Sequence, residues 1–377
     1  MPETDIVTIG APMLPDPARL AALMAEASAA GWFANGGALH CRLEQALARD
    51  HCSAGQYLAL TASGTMALML ALRLGGLPEG AEVITSPLSF AATVQAISWC
   101  GFRPVFADVE PETLTLCPRA VEAAITPRTA AILPVHFLGA PCDVVGLAEV
   151  ARRYRLWLTY DAAHAFGVTL NGQPIAAFGD ATTFSLHATK VLHTGEGGFV
   201  VAGKGEAAAR LRRLRNFGLE AGRMTGPGIN GKLSEVQAAM GLALLPDLPG
   251  EIAARHTLRA RYDAALTGIR GIRLLTGRAG ASPALTTYAL RMAPALRARL
   301  NRALAEGRVL ARDHFPLLCG PGTIWPEAQI VTTSAAPVAP LLGQEVLCLP
   351  FHGRVADSDA DRIASIVKRV AQEGERV

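Results

Sequence analysis

The sequence lacks the paired cysteines, long apolar runs and strong charge that would place it in several large protein classes. Its seven cysteines form no CxxC pair, which argues against a disulfide framework or a structural zinc site and predicts free thiols. Only 18% of the residues are charged and the formal net charge is +3, too little to predict nucleic acid or an anionic membrane as the main partner. No apolar run is long enough for a transmembrane helix, and no signal peptide is recognisable, so a cytoplasmic location is expected.

Motifs of several common enzyme classes are also missing. No GxGxxG follows the first apolar runs, and neither HExxH nor GxSxG occurs, which argues against a nicotinamide site, a zinc protease and an esterase. Residues 226–232 resemble a phosphate-binding P-loop, but Leu233 stands where Ser or Thr should bind magnesium. Asn230 and Lys232 remain candidates as simple phosphate donors.

Short apolar runs alternate with alanine-rich helical patterns along the first two thirds of the chain. The predicted strands are residues 57–60, 82–86, 103–109, 130–136, 156–160, 181–186 and 198–201. The predicted helices between them are residues 66–74, 91–100, 119–124 and 145–154. This alternation predicts an α/β fold with a mostly parallel, seven-stranded sheet that is covered on both faces.

The pattern changes after about residue 245. Residues 251–266, 294–306 and 356–372 read as helices, with short strand patterns between them. We therefore expect a large α/β domain over residues 1–245 and a smaller C-terminal α+β domain over residues 246–377.

The first candidate site lies at residues 61–66, between a predicted strand and a predicted helix. Gly64 permits a tight turn there, and the first turn of a helix offers unpaired N–H groups to a phosphate. The candidate donors are the N–H groups of Gly64, Thr65 and Met66. An ordinary helix cap by Ser63 or Thr65 explains the same residues equally simply.

The second candidate site is residues 160–166, at the carboxyl end of an apolar strand, where open α/β sheets bind ligands. A carboxylate at Asp161 would be largely buried and would need a cationic or hydrogen-bonding partner. The alternative interpretations are a helix-capping Asp161 and a structural His164.

The third candidate site follows the strand that ends near Ser185. A polar turn carries Lys190 toward a glycine-rich segment, and Val191 and Leu192 next to it are apolar. Burial among such neighbours would lower the pKa of the amine and leave it neutral and nucleophilic. A solvated surface lysine is the alternative.

An aspartate at a strand end, a lysine at position 190 and two phosphate-binding segments together suit pyridoxal 5′-phosphate. At these residues the chain resembles the DegT/DnrJ/EryC1/StrS sugar aminotransferases. The motifs that carry the resemblance, in order along the chain, are residues 31–37, 82–90, 106–111, 134–139, 161–167, 184–190, 195–198 and 228–239, with a weaker match at 349–352.

The resemblance implies the type I aspartate aminotransferase fold and assigns roles to individual residues. Lys190 matches the Schiff-base lysine, Asp161 the partner of the pyridine nitrogen, and Phe90 an aromatic residue stacked on the cofactor ring. The remaining matches to cofactor-binding positions are Gly64, Thr65, Met66, His164, Ser185 and Asn230. Asn230 matches an asparagine that reaches the phosphate of the other subunit, which implies a homodimer with shared active sites.

Two positions depart from the family pattern: Val191 replaces a common asparagine, and Phe217 replaces a common histidine. The strings HATKV and GINGKLSE resemble the subgroup that aminates dTDP-4-keto-6-deoxyhexoses at C4. His164 points the same way, since relatives that aminate C3 often carry glutamine there.

The resulting hypothesis is a pyridoxal-phosphate-dependent transfer of an amino group from L-glutamate to the keto group of a nucleotide-linked sugar. A C3-aminating or cyclitol aminotransferase is the alternative within enzymes. A non-catalytic binding or regulatory protein on the same fold is the alternative of another class, and Lys190 argues against it because such a protein needs no amine there.

Overall fold

A computed structural model of the chain describes residues 6–313 and 315–373. In chain order, helices α1 to α12 span Pro17–Ala30, Ala38–His51, Gly64–Leu74, Ala91–Trp99, Pro118–Ala123, Val144–Tyr154, Glu206–Arg215, Glu235–Leu244, Leu248–Leu266, Pro294–Glu306, Ala339–Glu345 and Asp357–Glu373. Strands β1 to β15 span Gln56–Thr61, Glu82–Thr85, Arg103–Ala107, Thr129–Leu133, Trp157–Asp161, Thr169–Leu170, Gln173–Pro174, Ala181–Ser185, Gly198–Gly203, Leu219–Glu220, Arg223–Met224, Ile272–Leu274, Tyr288–Met292, Ile330–Val331 and Val346–Leu349.

The main sheet has the strand order β1-β9-β8-β5-β4-β2-β3-β14. Strand β9 runs antiparallel to both β1 and β8, while the other neighbouring pairs are parallel. Strands β1, β2, β5 and β8 therefore point the same way and end at one edge of the sheet. That shared edge collects the segments that the sequence marks as candidate sites.

All seven predicted strands belong to this sheet, but the predicted number of strands was wrong. An eighth strand, β14, pairs in parallel with β3, where Ile330 lies opposite Phe106. It comes from the region expected to form only the smaller domain. A strand of two residues has no alternation to read, and tertiary pairing alone defines it.

The predicted helices are also present, but five of the observed helices, α1, α2, α7, α8 and α11, were not predicted. Asp16 caps α1, since its carboxylate accepts the N–H of Arg19 at 2.7 Å. Helix α2 has no side-chain cap from its own first residues. Its local sequence therefore carries a weak start signal.

Two large hydrophobic clusters lie in different parts of the chain. The first fills the space between the main sheet and its helices, and includes Leu43, Tyr160 and Phe199. The second lies around the β12-β13-β15 sheet and includes Tyr288 and Ile363. A division near residue 245 stays a prediction. None of the helices in the described part of the chain combines the length and the apolar character that crossing a membrane requires.

Candidate active site

The candidate site lies along the edge where β1, β5 and β8 end. Thr61, Asp161 and Ser185 are the last residues of these strands, and β9 starts beside them at Gly198. Each strand is followed by a segment singled out in the sequence. Strand topology alone therefore brings the three candidate segments to one place.

Asp161 is 5% exposed and its carboxylate has two hydrogen-bond donors. Oδ1 accepts the N–H of Ala163 at 3.0 Å, and Oδ2 accepts the hydroxyl of Thr93 at 2.7 Å. Burial raises the pKa of the Asp161 carboxyl, while these two donors and the charge of Lys190 lower it. Asp161 caps no long helix here, so the helix-capping alternative is not supported.

A second hydroxyl lies behind Thr93, and the sequence analysis did not identify either residue. Ser89 Oγ is 2.6 Å from Thr93 Oγ1, and both side chains are buried. The two residues are four positions apart around the start of α4, a spacing that places side chains on one helix face. That spacing is the signal that could have found them, although many serine and threonine pairs share it.

Lys190 lies in a turn between β8 and β9 that backbone hydrogen bonds hold closed. The N–H of Ala188 donates to the carbonyl of Gly195 at 2.8 Å, and the N–H of Lys190 donates to the carbonyl of His187 at 2.9 Å. Val191 and Leu192 are fully buried. The apolar neighbours predicted from the sequence thus anchor the turn that carries the amine.

Burial lowers the pKa of the Lys190 amine to about 8, and the positive charge of Arg312 adds to this effect while Asp161 opposes it. Arg312 comes from the segment after α10, whose backbone pairs with Cys348. An amine with this pKa is partly neutral near physiological pH. It can therefore accept or release a proton at Nζ.

The start of α3 packs against the ends of β8 and β9 with no space for a side chain. A Cβ added to Gly64 would lie 2.9 Å from Ser185 Cβ. A Cβ added to Gly198 would lie 2.8 Å from the backbone nitrogen of Gly64. The Ser185 side chain thus directly adjoins the first turn of α3.

The N–H groups of Gly64 and Thr65 belong to the first turn of α3, where no helical carbonyl lies four residues earlier. The N–H of Met66 instead donates to Ser63 Oγ at 3.1 Å, as the helix cap. A phosphate contact from Met66 would require this bond to be shared or broken, and it stays a prediction.

Three rings lie near one another beyond the carboxyl edge. Phe90, at the start of α4, is 57% exposed, and its ring centroid is 5.5 Å from that of Phe315. The buried His164 ring stacks on Phe315 with centroids 5.6 Å apart and an interplanar angle of 11°. Phe315, which the sequence analysis missed, thus connects two predicted site residues.

Asn230 is exposed and lies near the start of α3 in its own chain. It pairs with Asn216 in an isolated β-bridge, and the neighbouring carbonyl of Gly231 accepts the N–H of Ala62 at 2.9 Å. Lys232 donates to Asn216 Oδ1 at 2.8 Å and lies 4.8 Å from the ring centroid of Phe217. Lys232 is therefore engaged within the chain.

The structure thus places Asp161 close enough to Lys190 for their charges to interact, and it packs Ser185 against Gly64. Phe90 and His164 both contact a third ring, Phe315. A buried carboxylate, an amine of lowered pKa and a helix start form one chemical arrangement. Such an arrangement suits a phosphorylated cofactor that reacts with an amine.

Comparison with known proteins gives a consistent result. The profile of the DegT/DnrJ/EryC1/StrS aminotransferase family matches residues 17–368. A dTDP-4-amino-4,6-dideoxy-D-glucose transaminase from Shigella dysenteriae is 34% identical over 90% of this chain and 92% of its own length. A UDP-N-acetyl-3-dehydro-alpha-D-glucosamine 3-aminotransferase from Acidithiobacillus ferrooxidans is 34% identical over 82% of each chain. The crystal structure of DesI, determined in the presence of its TDP-sugar product, superimposes with a TM-score of 0.91 at 33% identity over 99% of this chain and 94% of DesI.

Proposed function

Because the chain belongs to the DegT/DnrJ/EryC1/StrS aminotransferase family, we propose that it aminates C4 of a dTDP-4-keto-6-deoxyhexose. L-Glutamate is the proposed amino donor and pyridoxal 5′-phosphate the proposed cofactor. The observation that carries the cofactor assignment is the buried Asp161 beside an amine, Lys190, whose pKa is lowered to about 8 chiefly by burial. The C4 assignment draws support from the name of the Shigella dysenteriae relative.

The residues present fit pyridoxal 5′-phosphate. Because Gly64 has no side chain, the first turn of α3 packs directly against Ser185. A Cβ at Gly64 would occupy the space between the helix start and the Ser185 side chain. We assign the phosphate to Ser185 Oγ and to the N–H groups of Gly64 and Thr65. Asp161 would bind the ring nitrogen, and Phe90 would cover one ring face.

The chemistry that the cofactor supplies when bound is an aldehyde for amine exchange and a ring that withdraws electrons. Asp161 contributes a fixed negative charge that favours a protonated ring nitrogen. Lys190 contributes the amine that holds the cofactor and then moves a proton at Nζ, for which its lowered pKa suits it. The hydrogen bonds of the turn fix the backbone of Lys190, from which the side chain extends.

The substrate assignment is tested with a panel of nucleotide-linked ketosugars and L-glutamate, with products identified by NMR. Amination at C4 of the dTDP-4-keto-6-deoxyhexose is the expected result. Amination at C3 would instead assign the specificity of the Acidithiobacillus ferrooxidans relative. No product from any sugar, with Lys190→Ala as the inactive control, would contradict the enzyme proposal for these substrates.

The same proposal includes a homodimer in which Asn230 completes the partner's site. Asn230 is exposed, and the segment around it displays apolar side chains that are uncommon on a monomer surface: Phe217 is 48%, Met224 80% and Ile229 38% exposed. A subunit interface would cover these side chains.

Mixing two inactive chains tests this arrangement. A Lys190→Ala chain keeps Asn230, and an Asn230→Ala chain keeps Lys190, so a mixed dimer has one complete site only if Asn230 acts across the interface. Random mixing at equal amounts makes about half of the dimers mixed. Because each mixed dimer has one complete site out of two, the expected activity is about a quarter of that of the unmodified dimer. No gain above the average of the separate variants would place Asn230 in its own subunit's site.

A further inference from the structure

We infer that Thr93, held in turn by Ser89, is the positioning residue that aims the Asp161 carboxylate at the cofactor's ring nitrogen. The inference rests on the proposed function, since the ring nitrogen belongs to the proposed cofactor. It concerns the hydrogen bond from Thr93 Oγ1 to Asp161 Oδ2.

The hydrogen bonds in this group have a definite direction. An ionised Asp161 only accepts, so Thr93 Oγ1 donates to Asp161 Oδ2 across 2.7 Å. With its proton used there, Thr93 Oγ1 accepts from Ser89 Oγ across 2.6 Å. Both donations run toward the carboxylate, and each strengthens the next in a buried environment.

The bond from Thr93 is not the usual local bond of a helical threonine. Such hydroxyls commonly donate to the backbone carbonyl one turn earlier. Thr93 lies in the first turn of α4 and is fully buried, yet its hydroxyl contacts a side chain from β5, 68 residues away in sequence. A contact between separate elements at this strand end fixes the orientation of Asp161.

The electrostatic surroundings make this hydroxyl important. Burial raises the pKa of Asp161, and the lowering contributions come from the Ala163 N–H, the Thr93 hydroxyl and the charge of Lys190. The His136 backbone N–H also donates to the Asp161 carbonyl, and burial lowers the pKa of the His136 ring to about 3, so that ring is neutral. From α4 and β8, the uncharged Thr93 and Thr183 face this strand end. Lys190 is thus a cation that favours the ionised carboxylate.

The start of α4 also carries Phe90, the residue assigned to the face of the cofactor ring. Phe90 caps α4 by position, and Thr93 lies one turn later on the same rigid segment. One helix start would thus set both the plane of the ring and the direction of its nitrogen contact. This linkage explains why a hydroxyl that never touches the cofactor would influence the ring.

The test measures the protonation of the ring nitrogen by ¹⁵N NMR, using ring-labelled pyridoxal 5′-phosphate bound to the full chain. Thr93→Val removes the hydroxyl and keeps the shape. It should lower the pH at which the nitrogen loses its proton by about one unit or more, a tenfold change in the ionisation constant. Thr93→Ser should restore the unmodified midpoint.

Thr159→Val is the matched control on β5, since the Thr159 hydroxyl is buried without a hydrogen-bond partner among the described residues. It should leave the midpoint unchanged. Ser89→Ala, which leaves Thr93 in place, should shift the midpoint in the same direction as Thr93→Val by a smaller amount. It serves as the test if Thr93→Val does not fold.

An unmodified midpoint in Thr93→Val, or in Ser89→Ala where the valine variant is unfolded, would overturn the inference. Failure of Thr93→Ser to restore the midpoint would overturn it as well. If the unmodified chain binds no pyridoxal 5′-phosphate, the proposed function fails and the inference with it. If the chain binds the cofactor but Thr93→Val leaves the midpoint of the ring nitrogen unchanged, only the inference about Thr93 fails.

Discussion

Substituting Gly64 by alanine places one methyl group in a tight contact of the candidate phosphate site. The new Cβ would lie 2.9 Å from Ser185 Cβ, 3.1 Å from Ser185 Oγ and 3.2 Å from Ser185 Cα. Carbon atoms prefer separations of about 3.5–4.0 Å, so the two elements must separate by about 0.6 Å or more. Rotation of the Ser185 side chain cannot relieve the contact, because Cβ and Cα do not move with it.

The expected cost follows from this geometry. Forcing an extra methyl into a packed contact lowers the free energy of unfolding by about 1–3 kcal/mol. The same displacement moves the first-turn N–H groups of α3 away from Ser185 Oγ, which together are assigned to the cofactor phosphate. We expect the dissociation constant for pyridoxal 5′-phosphate to rise by at least about tenfold, the equivalent of 1.4 kcal/mol.

Urea unfolding of the cofactor-free protein and titration with pyridoxal 5′-phosphate measure the two effects separately. Gly250→Ala in α9 is the control, because a Cβ there meets nothing within 4 Å. If Gly64→Ala unfolds within about 0.5 kcal/mol of the unmodified chain and binds the cofactor equally well, the close packing of α3 on β8 is wrong.

Three further predictions concern the charged residues of the site. Lys190→Ala should abolish transamination while the circular dichroism spectrum stays that of the folded chain, and near-normal turnover would refute the assignment of Lys190. Asp161→Asn should lower turnover by about 10²-fold or more, because one preorganised charge is lost. The rate of a single turnover with L-glutamate measures this effect. An unmodified rate would show that Asp161 has only a structural role. Burial lowers the pKa of Lys190 to about 8 from its ordinary 10.5. Between these two pH values the folded cofactor-free chain binds fewer protons than the unfolded chain. The free energy of unfolding should therefore rise with pH from about 8 to 10.5. Relative to Lys190→Met, urea unfolding at pH 7.5 and 9.5 should show an extra gain of about 1 kcal/mol in the unmodified chain, a value reduced for the partial solvent access of the amine; equal gains in both would contradict the lowered pKa.

The sequence was sufficient to predict the main sheet because its strands are continuous apolar runs with helical patterns between them. The buried residues of β4 and β5 illustrate this, since both faces of a parallel sheet exclude water. Strand β14 has only two residues, both partly exposed, and leaves no such pattern. Helices α1 and α2 pack against α8, a contact between distant segments that local propensity does not reveal.

Within the candidate site, residues at strand ends were predictable and residues behind them were not. Asp161, Ser185 and Lys190 stand directly after apolar runs, where parallel topology gives them a shared location. Thr93 and Phe315 reach the site from α4 and from the segment after α10, and their roles depend on how these elements pack. From the sequence alone, a hydroxyl or an aromatic ring in such a segment cannot be distinguished from an ordinary buried core residue, because its partner in the fold is not known.

Two of the motifs that carry the family resemblance turn out to contact each other. The Glu235 carboxylate, from the GINGKLSE segment, accepts the N–H of Leu39 at 2.8 Å and of His40 at 3.1 Å, and so closes the start of α2. Gly37, the last residue of the WFANGG segment, leaves the necessary space, because a Cβ there would lie 2.7 Å from Glu235 Oε2. A buried acid at a helix start satisfies both the unpaired N–H groups and the positive end of the helix dipole. Glu235 is therefore committed to the fold, and Lys232 is held by Asn216 within the chain. The exposed Asn230 is the residue of this segment that we assign to a ligand.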